Sequence, residues 1–179
     1  MTLKIERIGS RVYQQPMGML VDSYIIRAEK DSSDPSRAEP WVLDPPFQRG
    51  SVWTLKQKRA WIETLLHGFS VPSIFVNQFP NEHPEYGFRD VVIDGQQRLR
   101  ATAEFMQDKF KVRGETYGEQ SIVFKRLWVM GGTNAPVVMC KFKTLKECAE
   151  LYVKLLQAGT AHTPTEVKKA KDFIKGCDA

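Results

Sequence analysis

The chain has 179 residues, of which 42% are hydrophobic and 26% are charged, as in a globular domain large enough to bury a core. It has no apolar run near the roughly 20 residues of a membrane-spanning helix, and its first residues, MTLKIERIGS, lack the apolar centre of a signal peptide. Three cysteines without paired spacing argue against a disulfide scaffold and favour a reducing compartment. We therefore expect a cytoplasmic protein with no membrane partner.

The net charge of +5 is distributed unevenly along the chain. Residues 1–97 carry 11 Lys/Arg and 12 Asp/Glu, whereas residues 98–179 carry 15 Lys/Arg and 9 Asp/Glu. A basic half attracts phosphates, whether of a nucleotide or of a nucleic acid. A solvated, lysine-rich helix face would produce the same count, so the charge leaves DNA open as a partner.

The secondary-structure signals become clear from residue 54 onward. Before it, the polar segment 29–40 indicates an exposed loop, and VDSYII is compatible with a strand or a short helix. Thr54-Leu-Lys-Gln57 has the form of a capping box, and the apolar spacing behind it predicts a helix that stops at Gly68. Strands are predicted at 71–79 and 89–93, followed by a helix at 96–108.

The C-terminal half continues with a mixture of strands and helices. SIVFKRLWVM (121–130) and PVVMCKF (136–142) flank two glycines and predict two strands. Thr144-Leu-Lys-Glu147 predicts a helix cap, and Pro164 opens a last helix at its favoured first position. The elements together predict one α+β domain over residues 1–179, with a core at about 41–142 and a helical extension at 143–179.

One polar motif lies where a predicted strand, VVI, meets the helix after it. Residues Asp94-Gly95-Gln96-Gln97-Arg98 occupy the position at which backbone N–H groups lack intrahelical partners and the helix dipole is positive. Gly95 permits a close approach of the backbone to a phosphate, Arg98 can contact phosphate oxygens in pairs, and Asp94 can hold a magnesium ion. The alternative is that Asp94 is a helix cap and Arg98 its surface neighbour.

A second motif, LDPPFQRGSVW, covers residues 43–53. Gln48-Arg49 again pairs an amide with a guanidinium, as Gln97-Arg98 does. Phe47 and Trp53 offer aromatic planes on which a base can stack. The alternatives are that both aromatic residues are core anchors and that Arg49 belongs to a salt bridge.

Taken together, FQRGSVW, HGFSVPSIFV and VVIDGQQRLRATAEF resemble the N-terminal domain of GmrSD-type modification-dependent restriction enzymes, in the ParB/sulfiredoxin-like superfamily. The similarity runs from about Leu43 to Phe105 and continues more weakly through ECAELYVKLLQAGTAHTPTEVKKA. The family usually has an Asn-x-Gly-Gly-like turn in that part, but this chain has Leu-Gln-Ala-Gly at 156–159, so no asparagine is carried over. The resemblance implies a ParB-like mixed sheet with packed helices and a helical C-terminal segment.

The resemblance also implies a function in DNA modification, restriction or phage defence. An NTP and Mg²⁺ are the expected cofactors, with Asp94 as the expected metal ligand and Asp94 and Arg98 as the expected catalytic residues. The expected nucleotide contacts are Gln48, Arg49, Gly95, Gln96, Gln97 and Arg98. The Gly-Glu-Arg-Arg loop of the ParB relatives falls on 95–98, where this chain has no glutamate, and the cysteine that sulfiredoxin chemistry needs is absent.

Three functions are compatible with these residues. The first is an NTP-binding and NTP-hydrolysing module that works beside a restriction or nuclease partner protein. The second is a DNA-binding or anti-restriction module that has lost turnover, and the third is a small-molecule or nucleotide kinase that uses the same loop. The scattered His67, His83 and His162 give neither a nuclease motif nor a zinc site.

Overall fold

The computed structural model describes residues 10–27, 40–48, 50–83, 86–87, 89–158 and 164–177. Its strands are β1 Arg11–Pro16, β2 Trp41–Val42, β3 Ile74–Gln78, β4 Asp90–Asp94 and β5 Asn134–Cys140. Its helices are α1 Met17–Val21, which continues into a π-helical turn Asp22–Ile26, then α2 Leu55–Leu66, α3 Gln96–Met106, α4 Ile122–Met130, α5 Leu145–Ala158 and α6 Pro164–Gly176. The predicted α+β class is confirmed.

The strands form one mixed sheet in the order β1-β5-β3-β4-β2. β1 and β5 are antiparallel, β5 and β3 parallel, β3 and β4 antiparallel, and β4 and β2 parallel. β2 pairs only with the first two residues of β4, Asp90 and Val91. The rest of that edge of β4 is therefore open to other hydrogen-bonding groups, at the end of the strand that leads into Asp94.

Each face of the sheet supports a hydrophobic core, because successive side chains of a strand point to opposite faces. Val92 packs with α2, α3 and α4, in a cluster that includes Trp61, Ile62 and Leu99. Val91 and Ile93 pack on the other side, against buried residues of α5 and α6. The helical segment predicted for 143–179 thus covers one face of the sheet, while the proposed division into core and extension stays a prediction.

The predicted helix starts are confirmed where they depend on local capping. Thr54 and Gln57 form a reciprocal capping box before α2, and Glu147 accepts hydrogen bonds from the backbone N–H and hydroxyl of Thr144 before α5. Gly68 ends α2 with a φ of +70°. α6 begins at Pro164, as predicted.

The strand predicted at 121–130 is wrong, because this segment is helix α4. Ser121 caps it, with its hydroxyl accepting from the backbone N–H of Phe124 at 3.1 Å. Its apolar residues fall on both sides of the helix, and four remain exposed (Ile122, Val123, Leu127 and Met130), so the sequence shows no helical period. None of the helices in the described residues is long and apolar enough to cross a membrane.

Candidate functional site

The turn between β4 and α3 depends on a glycine. Gly95 has a φ of +103°, and a Cβ atom there would lie 2.4 Å from Cδ1 of the buried Ile74. No side chain caps the N-terminus of α3, since Gly95 is its N-cap residue. The backbone N–H groups of residues 96–98 therefore have no intrahelical partner and carry the positive end of the helix dipole.

Arg98 is largely buried and holds the turn together. Its Nη2 donates to Oδ2 of Asp94 at 2.7 Å and to the carbonyl of Ser73 at 3.0 Å, and its Nη1 donates to the carbonyl of Pro72 at 2.5 Å. Burial lowers the pKa of Arg98 and the Asp94 carboxylate opposes that effect, but a guanidinium stays charged in either case. Asp94 is 37% exposed, and its Oδ1 has no hydrogen bond within the described residues.

The two glutamines of the motif bind the segment that contains FQRGSVW. The side-chain oxygen of Gln97 accepts from the N–H groups of Val52 and Trp53 at 3.1 and 3.3 Å, and its Nε2 donates to the carbonyl of Gly50 at 3.1 Å. Gln96, 6% exposed, donates to Oδ1 of Asp44 at 2.5 Å. The two sequence motifs thus form one site, in which side-chain amides of α3 hold residues 44–53 across its N-terminus.

Gln48 extends the hydrogen bonding of the sheet beyond the short strand β2. Its Nε2 donates to the carbonyls of Val92 and Ile93 at 2.9 and 2.7 Å, and the residue is 5% exposed. Both amide hydrogens are therefore used within the fold, so the predicted nucleotide contact of Gln48 would need other atoms. Lys169 of α6 donates to its backbone carbonyl. Arg49, the other residue predicted here, lies outside the described residues.

The two aromatic residues of this segment belong to the core. Phe47 is fully buried, and its ring centroid lies 5.8 Å from those of both Tyr152 and Phe173. Trp53 is half-buried, with its ring in an edge arrangement 6.2 Å from Trp61. Of the two roles considered, core anchor is correct for Phe47, and a base cannot stack on it.

Two charged residues at the site carry no assignment from the sequence. Arg100, one turn after Gln96 on α3, forms an ion pair with Asp44, and its buried Nε has no hydrogen-bond partner among the residues that the structure describes. Asp44 lies just after the short strand β2, in the motif LDPPFQRGSVW. No sequence pattern marks it as the partner of Gln96, which is 52 residues away. The site therefore contains two acids and two guanidinium groups.

The described residues contain no group of three or more His, Cys, Asp or Glu side chains placed to hold a metal ion. Two cavities, of about 490 and 240 Å³, lie away from the Asp94–Arg98 turn and contain none of its residues. At the turn itself Gly95 and Gln96 are buried, whereas the side chain of Asp94 is 37% exposed.

Comparison with known families identifies the domain. The model of the GmrSD restriction endonuclease N-terminal domain matches residues 29–173, most of the chain. The chain belongs to this family. The resemblance drawn from the sequence motifs is thus confirmed, and the site described above lies within the matched GmrSD domain. Searches among curated proteins and solved structures gave no match, and membership of the ParB/sulfiredoxin-like superfamily stays a prediction.

Proposed function

We propose that this GmrSD N-terminal domain binds an NTP at the Asp94–Arg98 turn and hydrolyses it with Mg²⁺. The observation that supports this most is the state of Asp94. One carboxylate oxygen is fixed by Arg98 at 2.7 Å and the other has no partner in the described part of the chain. A fixed, half-exposed carboxylate beside an uncapped helix N-terminus is suited to phosphate and magnesium together.

The backbone of α3 would receive the phosphates. The N–H groups of residues 96–98 have no side-chain cap, and a helix N-terminus attracts anions through these groups and through its dipole. The positive φ of Gly95 turns the chain so that these groups follow directly after the strand. Residues 44–53 lie across this N-terminus through Gln96 and Gln97, so a triphosphate would bind between that segment and α3.

Mg²⁺ fits this residue set if the phosphates of the nucleotide supply part of its coordination. A magnesium ion commonly uses one or two protein carboxylates and completes its coordination with phosphate oxygens and water. Asp94 supplies such a carboxylate, which agrees with the lack of a larger cluster of acids in the described residues. When bound, the ion would neutralise charge on the phosphates, and Asp94 would hold it on the side of the helix N-terminus.

The remaining polar residues would position the site. Arg98 fixes the orientation of Asp94, and only its Nε–H and one Nη1–H lack a partner among the described residues. Gln97 and Gln96 hold residues 44–53 against α3. Arg100 adds a second guanidinium one turn further along, restrained by Asp44. These contacts would keep both halves of the site in place during turnover, which is the form of preorganisation that catalysis needs.

Phosphate release from ATP, GTP, CTP and UTP with Mg²⁺ would test the proposal. We expect release from at least one NTP and a loss of tenfold or more in Asp94→Asn, because Asn cannot replace a metal-binding carboxylate. Asp172→Asn, at an exposed position of α6, is the matched control and should keep full activity. No release by the unmodified protein, or equal release by Asp94→Asn, would refute the proposal.

A further inference from the structure

The C-terminal end of α2 presents an exposed aromatic residue among basic side chains. Phe69 is 61% exposed, and its ring stacks on His67 with centroids 5.6 Å apart and planes inclined by 15°. Arg59, two helical turns before His67, lies on the same face of α2. We call Arg59, His67, Phe69, Lys111 and Arg113 the Phe69 surface. It shares no residue with the Asp94–Arg98 turn.

A hairpin turn at 112–115 attaches two of these basic residues to α2. Arg113 donates from Nη2 to Nε2 of His67 at 3.2 Å, and Arg59 donates from Nε to the carbonyl of Lys111 at 2.9 Å. Because arginine has only donors, Nε2 of His67 must accept, and its Nδ1–H donates to the carbonyl of Glu63 at 2.6 Å. Each arginine is thus held by one hydrogen bond, and its other N–H groups have no partner in the described residues.

Arg113 occupies a backbone position that does not suit arginine. Its φ is +53°, and Gly114 follows with a φ of +89°. Val112 and Glu115 pair across them with hydrogen bonds of 2.8 and 3.1 Å. Such two-residue turns need positive φ at both central positions and favour Asn-Gly. The turn therefore places the Arg113 side chain against His67 in spite of an unfavourable backbone conformation.

We propose that the Phe69 surface binds single-stranded DNA through unpaired bases and their phosphates. An exposed ring that already stacks on a neighbour is a platform for one more planar group, and bases stack on such rings with little regard to sequence. The guanidinium groups of Arg59 and Arg113 supply the opposite charge to phosphates, and the ammonium of Lys111 adds to it from an exposed ion pair with Glu119 at 3.6 Å. DNA is the nucleic acid on which restriction endonucleases, the family of this chain, act.

Glu63, an acidic residue on the same face of α2, provides a further test of the proposal. Glu63 lies between Arg59 and His67 at helical spacing, and its carboxylate has no partner in the described part of the chain. Close to a phosphate it would repel the strand, so its neutralisation should strengthen binding. A residue outside the DNA contact would show no such effect.

Fluorescence anisotropy of a labelled, mixed-sequence DNA strand of about 12 nucleotides tests the proposal on the unmodified chain, without NTP. We expect Phe69→Ala to raise Kd at least about fivefold, and Arg113→Asn to lower the slope of log K against log salt by about 0.7. Arg113→Asn should not lower the melting temperature, since asparagine suits positive φ. Glu63→Gln should lower Kd. Met130→Ala and Arg126→Gln, at exposed positions of α4, are controls and should change nothing.

Three results would overturn the proposal. The unmodified protein would fail to bind the strand at low salt, or Phe69→Ala would bind as tightly as the unmodified protein, or the RNA strand of the same sequence would bind tighter than the DNA. Preference for the single strand over its duplex is expected, because only unpaired bases can stack on Phe69. None of these results depends on hydrolysis of an NTP, so a failure here and a failure at Asp94 are distinguishable.

Discussion

A single methyl group at Gly95 tests the geometry of the proposed nucleotide site. A side chain there would have a φ of +103° and its Cβ would lie 2.4 Å from Cδ1 of Ile74, which is fully buried. The backbone conformation costs about 1–2 kcal/mol for an L residue, and forcing a methyl group into a packed core costs about 1–3 kcal/mol. We therefore expect Gly95→Ala to lower the free energy of unfolding by about 2–5 kcal/mol.

Gly114 provides the matched control. Its φ is +89°, but nothing lies within 4 Å of the position that a Cβ would take. Gly114→Ala should therefore cost only the backbone strain, about 1–2 kcal/mol. The difference between the two variants, measured by urea unfolding followed through tryptophan fluorescence, isolates the contact with Ile74.

Ile74→Val completes the experiment because it removes Cδ1, the atom that a new Cβ would meet. Alone it should cost about 0.5–1.5 kcal/mol, but in the Gly95→Ala background it should cost less or restore stability. The double-mutant cycle then gives a coupling free energy of opposite sign to the single losses. If Gly95→Ala and Gly114→Ala lower the free energy of unfolding equally, and Gly95→Ala shows no coupling to Ile74→Val, the close contact between Gly95 and Ile74 is refuted.

Two further predictions concern the hydrogen bonds of Gln97 and the ionisation of Tyr13. Gln97→Leu removes the side-chain hydrogen bonds to residues 50–53, so the backbone amides of residues 52–53 should exchange hydrogen faster. The amide of Thr54, which donates to Gln57 at 2.8 Å, should exchange as before. Unchanged exchange at residues 52–53 would contradict the role of Gln97 in holding this segment. Burial, reinforced by Tyr24, raises the pKa of Tyr13 from 10.0 to about 12. The pKa of Tyr13 is higher in the folded state than in the unfolded state. Its contribution to the free energy of unfolding is therefore complete below about pH 10 and is lost as the pH rises towards 12. Tyr13→Phe should therefore make the free energy of unfolding in urea less sensitive to pH in that range. If this free energy falls as steeply in the variant as in the unmodified protein, the raised pKa of Tyr13 is contradicted.

The parts of the fold that the sequence predicted are those specified by neighbours along the chain. The capping box of Thr54 and Gln57 and the start of α6 at Pro164 involve residues at most a few positions apart. Helix α4 was missed because its exposed apolar residues have no buried stripe to set a period. The two-residue strand β2 exists only through its partner β4, a long-range pairing that no local pattern predicts.

The candidate site likewise combines motifs that can be recognised along the chain with long-range contacts that cannot. The sequence located the Asp94–Arg98 turn and the FQRGSVW segment, and the structure brings them together through Gln97. The partners of that glutamine are backbone groups more than 40 residues away, and backbone groups leave no mark in a sequence. For the same reason Asp44, which binds Gln96, could not be distinguished from an ordinary loop acid.

Arg98 illustrates the consequence for experiments. From the sequence alone, a guanidinium at a helix N-terminus reads as a phosphate ligand, and Arg98→Ala follows as the obvious test. In the fold, however, Arg98 is largely buried and donates to Asp94, Ser73 and Pro72. Its removal would leave the carbonyls of Pro72 and Ser73 without this donor and would release Asp94, so lost hydrolysis in Arg98→Ala would not distinguish a missing phosphate contact from a disrupted turn. Asp94→Asn keeps the shape of the side chain and an acceptor for Arg98, but it removes both the charge that a magnesium ion needs and the counter-charge of the buried guanidinium. Its activity therefore bears on the chemistry when urea unfolding shows that the variant is folded under the assay conditions.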